Sequence, residues 1–224
     1  MVAVYLCVSF SVSVFTAYTA LNAIEIYRTH TDAKVKRFLL FLFALNIGGG
    51  SIWCMHFIAM LTLKTEGADT MPVYDVPLTI ISWCLAVAFV YAGAFIAAKD
   101  DFFGASEKEG IEIMKQRITM KAMMKNRNHL KFLTLFLNPK YFILGGVAAG
   151  FGVGCMHYLG ILAIRNFDVE FQVEFIFISC ILAVVVAAAG FWITFRFLHW
   201  RPSLERLRIL ASVVIAVGEY LFKT

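Results

Sequence analysis

Two short stretches of this sequence hold residue types able to bind an ion or move an electron. Residues 53–60 read Trp-Cys-Met-His-Phe-Ile-Ala-Met, and residues 154–160 read Gly-Cys-Met-His-Tyr-Leu-Gly. Cys-Met-His-aromatic thus occurs twice in one chain. Thiol, thioether and imidazole together suit Cu(I) or Cu(II) better than Mg²⁺ or Ca²⁺, and zinc would accept the cysteine and histidine more readily than the methionine. The candidate metal ligands are therefore Cys54, Met55, His56 and Met60 in the first stretch, with Cys155, Met156 and His157 in the second. On a helix His56 and Met60, four residues apart, share a face, and Met55 lies about 100° round from His56. Ile161 takes the position after His157 that Met60 takes after His56. The competing use of these residues is structural: histidine bonding across a helix interface and methionine filling gaps.

The elements that must carry these motifs are membrane helices. The chain has 224 residues, 61% hydrophobic and 16% charged, with a mean hydropathy of +0.78. A soluble domain has about 25% charged residues. Six stretches are apolar over the roughly 20 residues needed to cross a bilayer: 2–27, 38–63, 76–98, 141–164, 173–197 and 207–224. The first basic residue is Arg28, so the first stretch has no basic n-region and reads as a retained helix, not a signal peptide. The predicted fold class is all-α, a polytopic membrane bundle of about six helices.

Of the 20 Lys and Arg residues, 17 fall in segments 28–37, 99–140 and 196–208. The positive-inside rule makes that side cytoplasmic and puts both termini outside. The net charge of +5 thus reports topology, with no basic stripe suited to nucleic acid. The basic segment 99–140, with apolar residues at mixed helical spacing over 111–137, reads as an interfacial helix on the cytoplasmic leaflet. The expected partners are the lipid bilayer and an unidentified cytoplasmic output partner reached through that segment. The expected location is the plasma membrane. Both motifs fall near the outer ends of their helices. The other histidines, His30, His129 and His199, lie in cytoplasmic segments.

The spans also pair. Ser9, Ser13, Ala17 and Tyr18 correspond to Ser82, Ala86, Val90 and Tyr91, and again to Ser179, Ala183, Ala187 and Ala188. Gly48-Gly49-Gly50 precedes the first motif, and Gly146, Gly150 and Gly154, spaced by four, lead into the second. Such small-residue faces let helix backbones approach closely. The domain reads as a single unit over 1–224 built from three helix pairs, 1–63, 76–164 and 173–224. The third pair ends in Ala216-Val217-Gly218-Glu219-Tyr220-Leu221 and lacks a Met-His pair.

Met55-His56-Phe57 and Met156-His157-Tyr158, in this repeated helix-pair setting, resemble the MHYT domain, named for a Met-His-Tyr-Thr signature. The resemblance covers the chain apart from 99–140. It implies an integral membrane sensory domain whose Met and His side chains hold copper near the outer face, with oxygen, carbon monoxide or nitric oxide as the signal. Carried over, Met55, His56, Met156 and His157 are the ligands, and Met60 matches a further methionine of the signature run. Ile58 and Leu159 stand where the signature has threonine, and the third motif is missing.

Two other readings compete with a copper-dependent sensor of a diatomic gas or of redox state. One is a transporter of copper or a small solute, which needs a polar path continuing inward; the inner halves of the spans read as lacking His, Asp and Glu. The other is a metal-free membrane scaffold. An enzyme is not expected, since no nucleophile–base pair or phosphate-binding loop is visible.

Overall fold

The computed structural model describes residues 2–61, 72–100, 139–166, 173–197 and 205–221. The amphipathic segment expected over 111–137, and most of the two connections at the motif end, lie outside these residues. What is described is helical: α1 (Val2–Thr29), α2 (Ala33–Met60), α3 (Val76–Ala97), α4 (Lys140–Leu162), α5 (Val173–Trp192, continued by Ile193–Phe197) and α6 (Glu205–Leu221). Five of them are long and apolar enough to cross a membrane, over Val4–Thr29, Ala33–Met60, Val76–Ala97, Lys140–Leu162 and Ile176–Phe195. The sixth expected span is shorter: α6 has 17 residues, with its apolar stretch over Arg208–Val217. At 1.5 Å per residue that helix measures about 25 Å against a hydrocarbon core of about 30 Å.

Local chemistry sets the helix starts. Asp32 accepts from Lys34 N at 2.8 Å and caps α2. Asp75 accepts from Leu78 N at 3.1 Å and caps α3, whose first turn contains Pro77, a position where proline loses no helical bond. α2 is not uniform. Leu45–Cys54 is π-helical, between α-helical Ala33–Ala44 and Met55–Met60. The wide stretch holds Gly48, Gly49 and Gly50, and glycine tolerates such backbone departures. π-Helical turns are rare and recur at functional sites, and this one ends at the first motif.

Small residues govern the packing. α4 runs against both α3 and α5. A Cβ added to Gly93 would meet Gly145 O at 2.6 Å, and one added to Gly150 would meet Val184 Cα at 2.5 Å. α2 sits between α1 and α3, with Gly50 against Thr16 and Gly48 against the Ala86 carbonyl. α6 packs mainly on α1 and barely touches α5. At the basic end the core is aromatic: Phe43 packs on Phe191 and edge-on to Phe195, which also meets Phe142. An apolar cavity of about 190 Å³ lies beneath the motifs, lined by Ile52, Val153, Ala183, Gly190 and Thr194 among others.

One sequence expectation is corrected here. The inner halves of the helices do not lack acidic groups: Glu25, near the basic end of α1, forms an ion pair with Arg208 of α6, which also donates to Asn22 Oδ1 at 2.8 Å. Glu25 lies inside the expected span 2–27, at its basic end three residues before Arg28, and belongs among the acidic groups of that span.

Candidate functional site

Two of the recurring serines, Ser82 and Ser179, hold the motif helices, and in α1 the part falls to Ser13, since Ser9 donates to Leu6 O on its own helix. Ser13 of α1 and Ser51 of α2 share a buried hydrogen bond of 2.7 Å. Ser82 of α3 accepts from Trp53 Nε1 at 3.0 Å, immediately before the first motif. Ser179 of α5 and Tyr158 Oη of the second motif lie 2.5 Å apart. Ser82 and Ser179 also donate to carbonyls three residues earlier on their own helices. Each motif thus has a hydroxyl fastener on a neighbouring helix. A hydrogen bond of this kind between membrane helices contributes about 0.6 kcal/mol on average, so its use here is orientation more than stability.

These fasteners bring the two histidines together. His56 and His157 stack obliquely across the α2·α4 contact, with ring centroids 4.7 Å apart and planes at 59°. His56 is buried and His157 half-buried. His56 also meets Phe57 edge-on at 5.6 Å, Trp53 stacks on Phe57 at 4.5 Å, and Tyr158 lies edge-on to His157 at 5.2 Å. Met55, Met60 and Met156 are all buried, at 4%, 3% and 2% exposure. Met156 packs with Ala86, Val153 and Ala183 and against Ile52 and Trp53, between the two motif helices.

The thiols are placed differently. Cys54 Sγ donates to the Gly49 carbonyl at 3.2 Å, back along its own π-helical turn. Cys155 is two residues from His157, about 200° round the helix. Among the described residues no group of three or more His, Cys, Asp or Glu side chains is gathered for a metal. The soft side chains nearest the imidazole pair along the two helices are Met55, Met60 and Met156, and thioether with imidazole is a donor set that suits copper better than zinc.

Gly160, three residues past His157, belongs to this site although it has no side chain. A Cβ there would lie 3.3 Å from both His56 Nε2 and the Phe57 ring, so the glycine makes room for the imidazole. The sequence showed it only as the last letter of the second motif, and nothing in the spacing pointed to a partner on α2.

Above the histidines the chain closes a clasp between the start of α3 and the end of α4. Tyr74 and Ile164 form an antiparallel bridge, Asp75 N donates to Ala163 O at 2.7 Å, and Arg165 N donates to Val73 O at 2.8 Å. The Arg165 guanidinium pairs with the Asp75 carboxylate. Tyr74 packs on Phe57 at 5.2 Å, so the clasp continues down to His56 through one ring. Burial pushes the Tyr74 phenol up to about 12, and it stays protonated at any physiological pH. The Leu78 amide first, then Arg165, hold the Asp75 carboxyl below its usual 3.8. A carboxylate with a depressed folded-state pKa stabilises the fold above its unfolded value and loses that contribution as pH falls through the folded value. Asp75→Asn is therefore expected to lower the melting temperature by a constant amount at neutral pH. The gap to wild type should shrink only below about pH 3.8, as read by thermal unfolding from pH 7 to pH 3.

Helices of membrane length that bury a histidine pair beneath a polar clasp define a helical integral membrane domain with an intramembrane candidate site. The MHYT family, described as "Bacterial signalling protein N terminal repeat", matches at residues 49–104 and 150–206, together just over half of the chain. The chain belongs to that family. Each matched repeat opens at the glycine-rich lead into a motif and runs through the helix that follows. The cyclic di-GMP phosphodiesterase NbdA of Pseudomonas aeruginosa is 25% identical over 210 residues, 93% of this chain and 22% of that protein. The bifunctional diguanylate cyclase/cyclic di-GMP phosphodiesterase MucR of the same organism is 26% identical over 215 residues, 92% of this chain and 24% of that protein. The chain thus spans about a quarter of the length of the curated relatives it matches. No solved structure matches it.

Proposed function

We propose that this chain is a sensory domain of the plasma membrane that holds copper at His56 and His157, completed by thioethers from Met55, Met60 and Met156. The observation that carries this reading is the meeting of the two motif imidazoles, 4.7 Å apart, from helices distant in sequence. An ionisable side chain at membrane depth is costly and usually faces a functional interior. The surrounding donors are soft, as copper prefers. Cys54 and Cys155 hold a lesser rank for the reasons of placement given above. Bound copper would supply a redox-active centre with affinity for oxygen, carbon monoxide or nitric oxide. The protein's own part is to orient the two rings through Ser82, Ser179 and Gly160, and to exclude bulk water with Trp53, Phe57 and Tyr74.

In this reading the positive-inside rule sets the clasp and the histidines at the outer face and both termini outside, and the bundle is three helix pairs, 1–63, 76–164 and 173–224. A change at the copper shifts the α2·α4 contact, and the shift reaches the cytoplasmic segment 99–140 because it joins α3 to α4. Cyclic di-GMP turnover is the output we assign, performed by a module or partner separate from this stretch. The names of the two relatives support that assignment. A transporter is less well supported, since the cavity beneath the histidines is almost wholly apolar and Glu25 is committed to Arg208. The test is to purify the chain after growth with copper and measure bound metal by mass spectrometry. Copper near one equivalent per chain is the expected result, and a wild-type protein that binds none from Cu(I) or Cu(II) would sink the reading.

A further inference from the structure

The α4·α5 interface has a regular register. Gly146 faces Ala188, Gly150 faces Val184, and Gly154 faces Cys180, whose Sγ would lie 3.4 Å from a Cβ on that glycine. Each step of four along α4 is a step of four back along α5. Toward the clasp, Tyr158 bonds Ser179. Cys155 is bracketed by these two contacts, and it shares the face of Tyr158, three residues on. Both cysteines lie seven residues from the clasp end of their helices, Leu162 and Val173, and so at one depth, about 10 Å in. The other cysteines are placed otherwise: Cys7 and Cys84 are exposed at the periphery of the bundle, and Cys54 is bonded to Gly49. A disulfide needs Cα atoms about 4.4–6.8 Å apart, a spacing that only a close helix pair supplies. The glycine face makes α4·α5 such a pair.

We propose that Cys155 and Cys180 form a redox-responsive dithiol, which closes to a disulfide between α4 and α5 when a peroxide enters the outer half of the membrane. One sulfur attacks a peroxide oxygen, the O–O bond breaks, and the thiol becomes a sulfenic acid with release of water. The second thiol then attacks that sulfur, the S–O bond breaks, and a second water leaves with its proton. Two thiols and one hydrogen peroxide give one disulfide and two waters. The bond would fasten α5 to α4 two residues from His157, and it does not depend on copper being bound there.

The test uses the whole chain in lipid nanodiscs without added metal. After exposure to hydrogen peroxide and blocking of free thiols, trypsin separates the two cysteines at Arg165, giving peptides 141–165 and 166–196 with one cysteine each. The two peptides are expected as a linked pair that dithiothreitol releases. The link should persist in Cys54→Ser and be lost in Cys155→Ser and in Cys180→Ser. Recovery of both peptides blocked and unlinked after peroxide would overturn the proposal. So would links to Cys7, Cys54 or Cys84, or between two chains. Both serine variants are isosteric enough to keep the fold, which their thermal unfolding verifies.

Discussion

Replacing both His56 and His157 by alanine is expected to reduce bound copper to background while leaving a folded, extractable protein. In the proposed site each ring would supply one imidazole and the methionines the remaining donors, and the two ring centroids lie 4.7 Å apart. Either single variant leaves one imidazole among methionines, a set that still favours Cu(I) but no longer holds Cu(II) well. Even a supporting residue around a metal is worth about 10–100-fold in affinity, so a lost ligand should cost at least that for each single variant. Cys54→Ser is the informative control. Its thiol is turned onto Gly49 O, so copper content should stay near wild type. Met156→Leu keeps the packing volume between Ile52 and Trp53 and removes only the sulfur; a fall in Cu(I) affinity with unchanged melting temperature would mark the thioether as a donor. The scaffold reading predicts the reverse pattern. In that case the histidine variants lose several degrees of melting temperature, and copper content is near zero in every form. Direct titration of Cu(I) against a competing chelator, alongside thermal unfolding, separates the two.

The helices and their small-residue faces were legible because both rest on local pattern. Apolar runs mark the spans, and glycines spaced by four in Gly146, Gly150 and Gly154 mark one side of α4, the side that meets α5. The serine rows were legible as a recurrence, though not as fasteners, since nothing in the sequence pairs Ser82 with Trp53 or Ser179 with Tyr158. The clasp was invisible for the same reason. Asp75 and Arg165 are 90 residues apart and looked like charges in two separate loops. The π-helical stretch of α2 has no signature beyond its three glycines, yet it sets where the Cys54 thiol ends up, because the widened turn lets Sγ reach the carbonyl five residues back. Helical spacing gave the relative directions of the soft donors within each motif, but not which face of one motif meets the other. On a helix, adjacent residues point about 100° apart, so the histidines meet while the cysteines beside them face elsewhere.

Gly150→Leu is expected to be the most damaging single substitution away from the histidines. Its first side-chain carbon alone would sit 2.5 Å from Val184 Cα and 2.7 Å from Val184 N. These are backbone atoms and cannot rotate away, so α5 must move out bodily. Overpacking a tight core costs about 1–3 kcal/mol and occasionally more, and a branched side chain against backbone belongs at the upper end. The consequence should be specific. With α5 displaced, the Tyr158–Ser179 contact is lost, and with it the fastener of the second motif; the Trp53–Ser82 fastener, on the α2·α3 side, survives. The variant should therefore unfold at markedly lower temperature in detergent and bind less copper, and the thiols at Cys155 and Cys180 should no longer link. Gly190→Ala supplies the contrast within the same pair of helices. That glycine has open space where a Cβ would be, and alanine is about 1 kcal/mol better than glycine in a helix, so the change should be neutral or mildly stabilising. Comparable damage from both substitutions would mean that the glycines act through backbone flexibility and not through the close approach of α4 to α5.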